Sequence, residues 1–448
     1  MTSNNSVRIC NPDNVSGLKG NILRIEAPGI NPFVNELCEI SWGDDSLSFG
    51  RVIAFKRSEV VIQVYNGTLG VARNATVKFL GHAQKLTFST ESFGRVFSGG
   101  GVPLDGLPVL KGTSVDIGTP SVNPIKREMP SQFIETGIPM IDIFNSLVGS
   151  QKIPIFAAQG EPYNDLLLRI SSMTSADVVV LGCMGMPPAE YDRITAEMQT
   201  SGASTKTIVF AHTTADPASE CLMVPDMVLA TAENFALKGK NVLVMLTDMT
   251  SYADALKARE SDLEKIPAER GYPGNLYSQL ARLYEKACDF VGEGVITIIG
   301  VSTMPDGDVT HPVPDNTGYI TEGQFFLKDA RIDPFRSLSR LKQQVNDDTR
   351  DDHRSLMNAM VQLYAEAQGA REKAAMGHDL TNRDNSLLEF ASDFEVGLMD
   401  LSVSLSLNDA LDTCWTILKH HFSREDVPID RRVLDNHWPQ EAVATTAK

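Results

Sequence analysis

Residues 152–170, KIPIFAAQGEPYNDLLLRI, combine a short apolar run at 153–158, a break at Gly160 and Pro162, and a helix-forming stretch through 166–168. Strand, loop and helix in that order is the frame in which a phosphate-binding loop sits. Such a loop needs G-x-x-x-x-G-K-[ST]: glycines that let backbone N–H groups face phosphate oxygens, a lysine for the terminal phosphates, and a hydroxyl for Mg²⁺. Laid over that pattern, Ala157 takes the first glycine, Pro162 the second, Tyr163 the lysine and Asn164 the hydroxyl residue, so that Gly160 alone keeps the flexibility. Proline removes a donor N–H and fixes φ, and tyrosine removes the cation. The frame is present without its chemistry. Asn164 or Asp165 is expected to cap the helix that follows.

Residues 241–248, NVLVMLTD, form an apolar run that ends in a carboxylate. In a working nucleotidase that Asp holds Mg²⁺, but a buried strand ending on a hydrogen-bonded Asp has the same pattern. With Asn164 where the partner hydroxyl belongs, a structural role is expected for Asp248. The carboxylate that would orient an attacking water is also missing: Leu181 is followed by GCMGMPP, and the first acid after it is Glu190. Loss of both the phosphate lysine and the water-positioning acid argues against hydrolysis by this chain alone. Arg340, in RSLSRLK, stands near Arg331, Arg336 and Lys342. Spacing alone reads Arg340 as one more surface ion pair, with Arg331, Arg336 and Lys342 as a solvated basic face.

The elements that must position these residues fall into three regions. Up to about residue 82, short runs rich in Val, Ile and Phe at 21–27, 36–42, 48–56, 59–65 and 75–80 are separated by Gly, Pro, Asn and Asp, which predicts a small N-terminal β-barrel. Asn66-Gly67 is a hairpin signal. A Gly- and Pro-rich stretch at 98–130 reads as ordered loop. From about 131, apolar strands at 153–158, 177–181, 207–211, 241–246 and 295–300 alternate with helical patterns at 188–200, 225–238, 251–260 and 274–288; residues 138–147 also carry helical spacing. That alternation predicts a central parallel α/β sheet of the P-loop nucleotidase type, without a functional P-loop. After about 350 the strands give way to helices at 352–368, 386–397 and 408–421, a C-terminal helical bundle, and the last ten residues are expected to fray. The expected fold class is therefore multidomain α/β, divided at 1–82, 83–350 and 351–448.

Composition narrows the function classes. The 448 residues carry a formal net charge of −17, so nucleic-acid binding and a direct grip on anionic lipid are not expected. The six cysteines form no C-x-x-C pair and the eight histidines supply no metal-ligand spacing, so reduced, buried thiols and no metal site are expected. The N-terminal residues lack the apolar core of a signal peptide, and no apolar run reaches the roughly 20 residues of a membrane helix. A cytoplasmic protein that serves a membrane only through partners is the expectation.

Longer runs carry a resemblance. GRVFSGGGVPLDGLP at 94–108, ETGIPMIDIFNSLVGSQKIPIF at 135–156, LTDMTSYADALKARE at 246–260, ERGYPGNLYSQLARLYEKA at 269–287 and DVTHPVPDNTGYITEGQ at 308–324 are similar to the B subunits of V-type and archaeal A-type rotary ATPases. The likeness spans about residues 20–430 and all three regions. It implies a non-catalytic, regulatory subunit alternating with catalytic A subunits in a ring of three and three. It also implies contacts with central-stalk and peripheral-stalk subunits, in a soluble head peripheral to the membrane. That family lacks the P-loop in its B subunits, and Mg-ATP or ADP is implied to be held by the A subunit, with no cofactor of this chain's own. The family's SLSR arginine falls on Arg340, which is implied to reach across the interface to phosphates bound by the neighbour, as an arginine finger. A weak nucleotide site of the chain's own near Gly160, Tyr163 and Asn164 is a further expectation. Another reading is a purely structural ring subunit with no contact to nucleotide. The chain departs from the family at Phe335-Arg336, where proline usually precedes SLSR, in QQVNDDTRDDH, which has no glycine, and at 182–217.

Overall fold

A computed structural model describes residues 7–10, 14–43, 46–117, 127–345 and 348–439, with Arg127 described in its backbone alone. All but Pro439 of the frayed end expected at 439–448, and part of the loop at 98–130, lie outside the described residues. The chain separates into two compact units.

The first unit comprises Met1–Met129, Lys152–Gln159 and Ala176–Thr321. It opens with seven antiparallel strands: β1 (Arg8–Cys10), β2 (Val15–Lys19), β3 (Ile22–Glu26), β4 (Glu36–Trp42), β5 (Ser46–Lys56), β6 (Glu59–Val64) and β7 (Thr76–Ala83), in the order β1-β7-β4-β5-β6-β3-β2. Alternation places Leu23, Ile25, Cys38, Ile40, Val52, Ile62, Val77 and Phe79 in one buried core. Gly50 is required in β5, because a Cβ there would stand 2.7 Å from the Gln63 carbonyl oxygen. The hairpin expected at Asn66-Gly67 is not formed. β6 pairs with β3 and β5 while β7 pairs with β1 and β4, so the segment after Val64 crosses the sheet instead of folding straight back.

The same unit then builds a parallel sheet from β8 (Val96–Ser98), β9 (Lys152–Ala158), β10 (Val178–Met186), β11 (Thr207–Thr213), β12 (Asn241–Thr247) and β13 (Val295–Met304), in the order β9-β13-β12-β10-β11-β8. Strands buried on both faces need unbroken apolar runs, and VVVL, IVF, VLVML and ITII supply them. After β9 the chain enters helix α1 (Tyr163–Met173), which belongs to the second unit; the first unit's helices include α2 (Pro188–Thr200), α3 (Val224–Ala236), α4 (Met249–Asp262) and α5 (Leu276–Tyr284). Val224, Val228 and Phe235 of α3, Leu256 of α4 and Leu280 of α5 share a core with Val180, Val244 and Ile298 of the sheet. Gly239, at φ 77°, ends the turn after α3.

The second unit comprises Pro130–Gln151, Gly160–Ser175 and Glu322–Lys448. Its short strands include β14 (Gly323–Lys328) and β15 (Leu338–Ser339), which are followed by α6 (His353–Ala375), α7 (Asn382–Phe394), α8 (Leu407–His421) and α9 (Arg431–His437). Leu356, Met360, Leu387, Phe390, Phe394, Leu411 and Leu418 are buried along these helices. Thr381 and Asp384 form a reciprocal capping box at the start of α7, and Ser406 caps α8. The helix expected over 138–147 is only Pro139–Asp142, followed by the short strand Leu147–Val148. The buried Asp142 carboxylate accepts N–H donations from Thr136 at 2.9 Å and Gly137 at 2.8 Å, which folds the chain back on itself after one turn. Among the described residues, no helix is long and apolar enough to cross a membrane.

Phe79 is fully buried in the barrel core. Phe79→Ala is therefore expected to destabilise the barrel by about 3–5 kcal/mol, read as an earlier transition in chemical denaturation followed by near-UV circular dichroism.

Candidate functional site

The degenerate loop keeps its strand–turn–helix geometry. Gly160 is exposed at φ 92°, a conformation that favours glycine, and no heavy atom lies within 4 Å of where its Cβ would be. Tyr163 is the first residue of α1 and Asn164 the second; neither Asn164 nor Asp165 caps the helix, because Pro162 is the N-cap residue and makes no side-chain cap bond. Sequence reasoning missed Glu161. Its carboxylate accepts the Asp329 and Ala330 N–H groups, both at 2.9 Å. Those two residues have φ of 52° and 55°, a turn whose consecutive amides point to one anion. Within the loop an anionic side chain thus binds a nest of N–H groups elsewhere in its own unit. It adds negative charge where a phosphate would need the opposite.

Asp248 follows β12 and accepts hydrogen bonds from the Thr250 N–H at 3.0 Å, the Thr303 N–H at 3.0 Å and the Thr303 hydroxyl at 2.5 Å. It caps α4 and ties that helix to the end of β13. Burial pushes its carboxyl above the usual range, partly offset by those donors. Glu190 lies in the first turn of α2 and pairs with Arg193 at 2.7 Å.

Arg340 stands at the end of β15, exposed. Its backbone is fixed: β15 pairs antiparallel with β14, Gly323 opposite Ser339 and Gln324 opposite Leu338, and the Arg340 N–H donates to the Glu322 carbonyl at 3.0 Å. Gly323 sits at φ 137°, and a Cβ there would lie 2.1 Å from the Leu338 carbonyl oxygen, so only glycine lets the two strands meet. Beneath them is Gln151, wholly buried. Its amide donates to the Glu322 carbonyl at 2.9 Å and the Ser339 hydroxyl at 3.0 Å, and its oxygen accepts the Val148 N–H at 3.1 Å. Ser339 donates in turn to the Ser146 carbonyl at 2.9 Å.

The departures around SLSR are accommodated. Asp333 accepts the Phe335 and Arg336 N–H groups at 2.8 and 3.1 Å, which makes the turn that proline would otherwise preset. The Phe335 ring stacks on Tyr364 with centroids 5.7 Å apart, and the Arg336 guanidinium lies 4.0 Å from the Phe326 ring centroid. The basic residues nearby divide: Arg336 is exposed, and Arg331 and Lys342 are drawn into contacts. Arg331 pairs with Glu395 at 2.9 Å, and Lys342 donates to the Phe144 carbonyl at 3.2 Å, with burial lowering its pKa.

Two carboxylate–imidazole groups escaped the spacing argument because their members come from different helices: Asp393 with His420 and His421, and Asp351 and Asp352 with His437. Direct contacts such as His421 Nε2 to Asp393 at 2.7 Å account for their placement.

Comparison with known proteins bears on the whole chain. Residues 15–81 match the beta-barrel domain of the ATP synthase alpha/beta family, residues 137–333 its nucleotide-binding domain, and residues 342–438 the C-terminal domain of V and A type ATP synthase. The V-type ATP synthase beta chain of Borrelia turicatae is 50% identical over 427 residues, covering 95% of this chain and 98% of that protein. The chain belongs to the V-type ATP synthase beta-chain family. The Treponema denticola and Protochlamydia amoebophila V-type ATP synthase beta chains, 49% and 48% identical, cover 95% and 96% of this chain and 98% of their own lengths. Family membership accords with the multidomain α/β architecture, from barrel through nucleotide-binding domain to C-terminal helices.

Gln151→Leu keeps the volume and removes the hydrogen bonds that the Gln151 side chain makes beneath β15. It is expected to cost about 2–4 kcal/mol, since buried carbonyl and N–H groups lose their partners. The measurement is guanidinium denaturation of the purified chain. A change below about 0.5 kcal/mol, the range of neutral surface substitutions, would show that the amide does not hold β15.

Proposed function

We propose that this member of the V-type beta-chain family is the non-catalytic, regulatory B subunit of an ion-translocating rotary ATPase or ATP synthase, alternating with catalytic A subunits and lending Arg340 to the nucleotide site of its neighbour. One observation carries the reading. The chain that lacks the phosphate lysine at Tyr163 and the Mg²⁺ hydroxyl at Asn164 presents an exposed arginine just past a strand end whose backbone is locked by Gln151, Gly323 and Glu322. In phosphoryl transfer, negative charge spreads over the γ-phosphate oxygens, and an arginine supplied in trans lowers the barrier by about 10³–10⁵ in rate. Its charge persists at any working pH and its planar fork suits phosphate oxygens. Because the donor belongs to another subunit, catalysis depends on how the two subunits sit, so that rotation gates the chemistry.

On this reading Mg-ATP or ADP is held by the A subunit, active sites lie at A/B interfaces, and the remaining partners are the central and peripheral stalks. The head is peripheral to the membrane on its cytoplasmic side. The chain divides functionally at 1–82, 83–350 and 351–448, and the segment around Gly160, Tyr163 and Asn164 is at most a weak nucleotide site.

Arg340→Lys in a complex reconstituted with the cognate A subunit is expected to leave assembly intact and to lower ATP turnover by at least about 10³-fold. Turnover within a few-fold of wild type would refute the role. A purely structural Arg340 would instead lower complex stability, with turnover per intact complex unchanged. For the loop, calorimetry of ADP with the isolated chain is expected to give a dissociation constant no tighter than about 1 mM, because neither the lysine nor the hydroxyl is available. Micromolar affinity lost in Tyr163→Ala would establish a nucleotide site there.

A further inference from the structure

The first unit has an open cavity of about 560 Å³ between the barrel and the helices that flank the parallel sheet. Its size falls within the range of small-molecule sites, about 300–1,000 Å³. Its charge runs against the rest of the molecule. In a chain of net charge −17, Arg24 and Arg51 enter from β3 and β5, Arg259 and Arg282 from α4 and α5, and Lys265 from the segment between those helices. Two carboxylates, Asp226 and Glu260, share the lining.

Those two acids organise the cations but do not neutralise them. Asp226 accepts Arg282 at 2.9 Å and lies 3.8 Å from Arg51; Glu260 accepts Arg259 at 2.9 Å and Lys265 at 2.6 Å. Both carboxylates are buried. Each is therefore held between two cations, with the guanidiniums fixed in place before any ligand arrives. Arg24 pairs outside the cavity lining, with Glu59 at 3.8 Å. Four of the five cations are arginines, whose rigid forks match phosphate and carboxylate oxygens. An excess of fixed cations with low-dielectric walls concentrates anions.

We propose that this cavity is a binding site for a small phosphate-bearing anion, separate from the Gly160 loop and from Arg340. Its guanidiniums grip the phosphate oxygens, and Asp226 and Glu260 set the guanidinium planes. The occupied site bridges β3 and β5 of the barrel to α4 and α5. Since α4 begins at Asp248 and is tied there to the end of β13, the anion would stiffen the link between the barrel and the sheet.

The test is calorimetry and thermal melting of the purified full-length chain at low salt, with inorganic pyrophosphate as the probe and ADP as a second arm. Wild type is expected to bind pyrophosphate at one site and to melt at a higher temperature in its presence. Arg24→Gln with Lys265→Gln, which leaves the Asp226 pairs intact, should weaken binding about tenfold or more, the scale of a lost charge-assisted hydrogen bond. Arg282→Gln with Asp226→Asn, which removes a charge pair together so that no buried acid is stranded, should do the same. Arg340→Gln and Tyr163→Ala should bind as wild type. ADP competing with pyrophosphate would identify the ligand as a nucleotide; ADP failing to compete would identify it as a compact inorganic or small organic phosphate. Either result supports an anion site. No binding by wild type at millimolar pyrophosphate, or unchanged binding in both cavity variants, would overturn the proposal without bearing on Arg340.

Discussion

The structure around Arg340 depends on one buried amide. A two-residue strand such as β15 has almost no ladder of its own, so its position is set by what lies under it. Gln151 satisfies a carbonyl on one flank and a hydroxyl on the other while its oxygen takes an N–H from its own turn. A buried amide with its partners in place is rigid because every alternative leaves a polar group stranded in low dielectric. Long, flexible arginine side chains are precise only when their backbone is fixed, and here the fixing lies in neutral hydrogen bonds and one glycine contact. The electrostatic residue is at the surface, and the determinants of its placement are uncharged and interior.

The one acid of the nucleotidase pattern that is present illustrates a related economy. In Asp248 the position of the metal-holding carboxylate survives, but its oxygens are spent on Thr250 and Thr303. The residue that orders Mg²⁺ in a working nucleotidase here joins a helix to a strand. At the β12–α4 junction the carboxylate faces the chain's own donors.

The sequence made some of this legible and hid the rest, for definite physical reasons. The strands β9 to β13 could be read because a parallel sheet buried on both faces demands continuous apolar runs, and α2 was legible from its period and its proline start. β1 and β2 were not, since Arg8–Cys10 and Val15–Lys19 are short and their side chains are mostly partly exposed. Residues 138–147 carried helical spacing, yet Asp142 overrode it by drawing its hydrogen bonds from upstream backbone. The final helix, Arg431–His437, buries only Leu434 and so left no periodic signal. At the site, Tyr163, Asn164 and Pro162 announced a lost function because the pattern they break is local. Gln151 and Glu161 were invisible because their partners lie 171, 188 and 168 residues away. No spacing rule reaches that far.

The bond between Glu161 and the Asp329–Ala330 turn has an energetic corollary. A phosphate loop built of glycines is usually underdetermined until an anion arrives, and its host then gains stability by mass action as ligand accumulates. Here a covalently attached carboxylate occupies a turn nest at all times and pins the loop from within. The order of that turn therefore comes from within the chain and needs no bound anion.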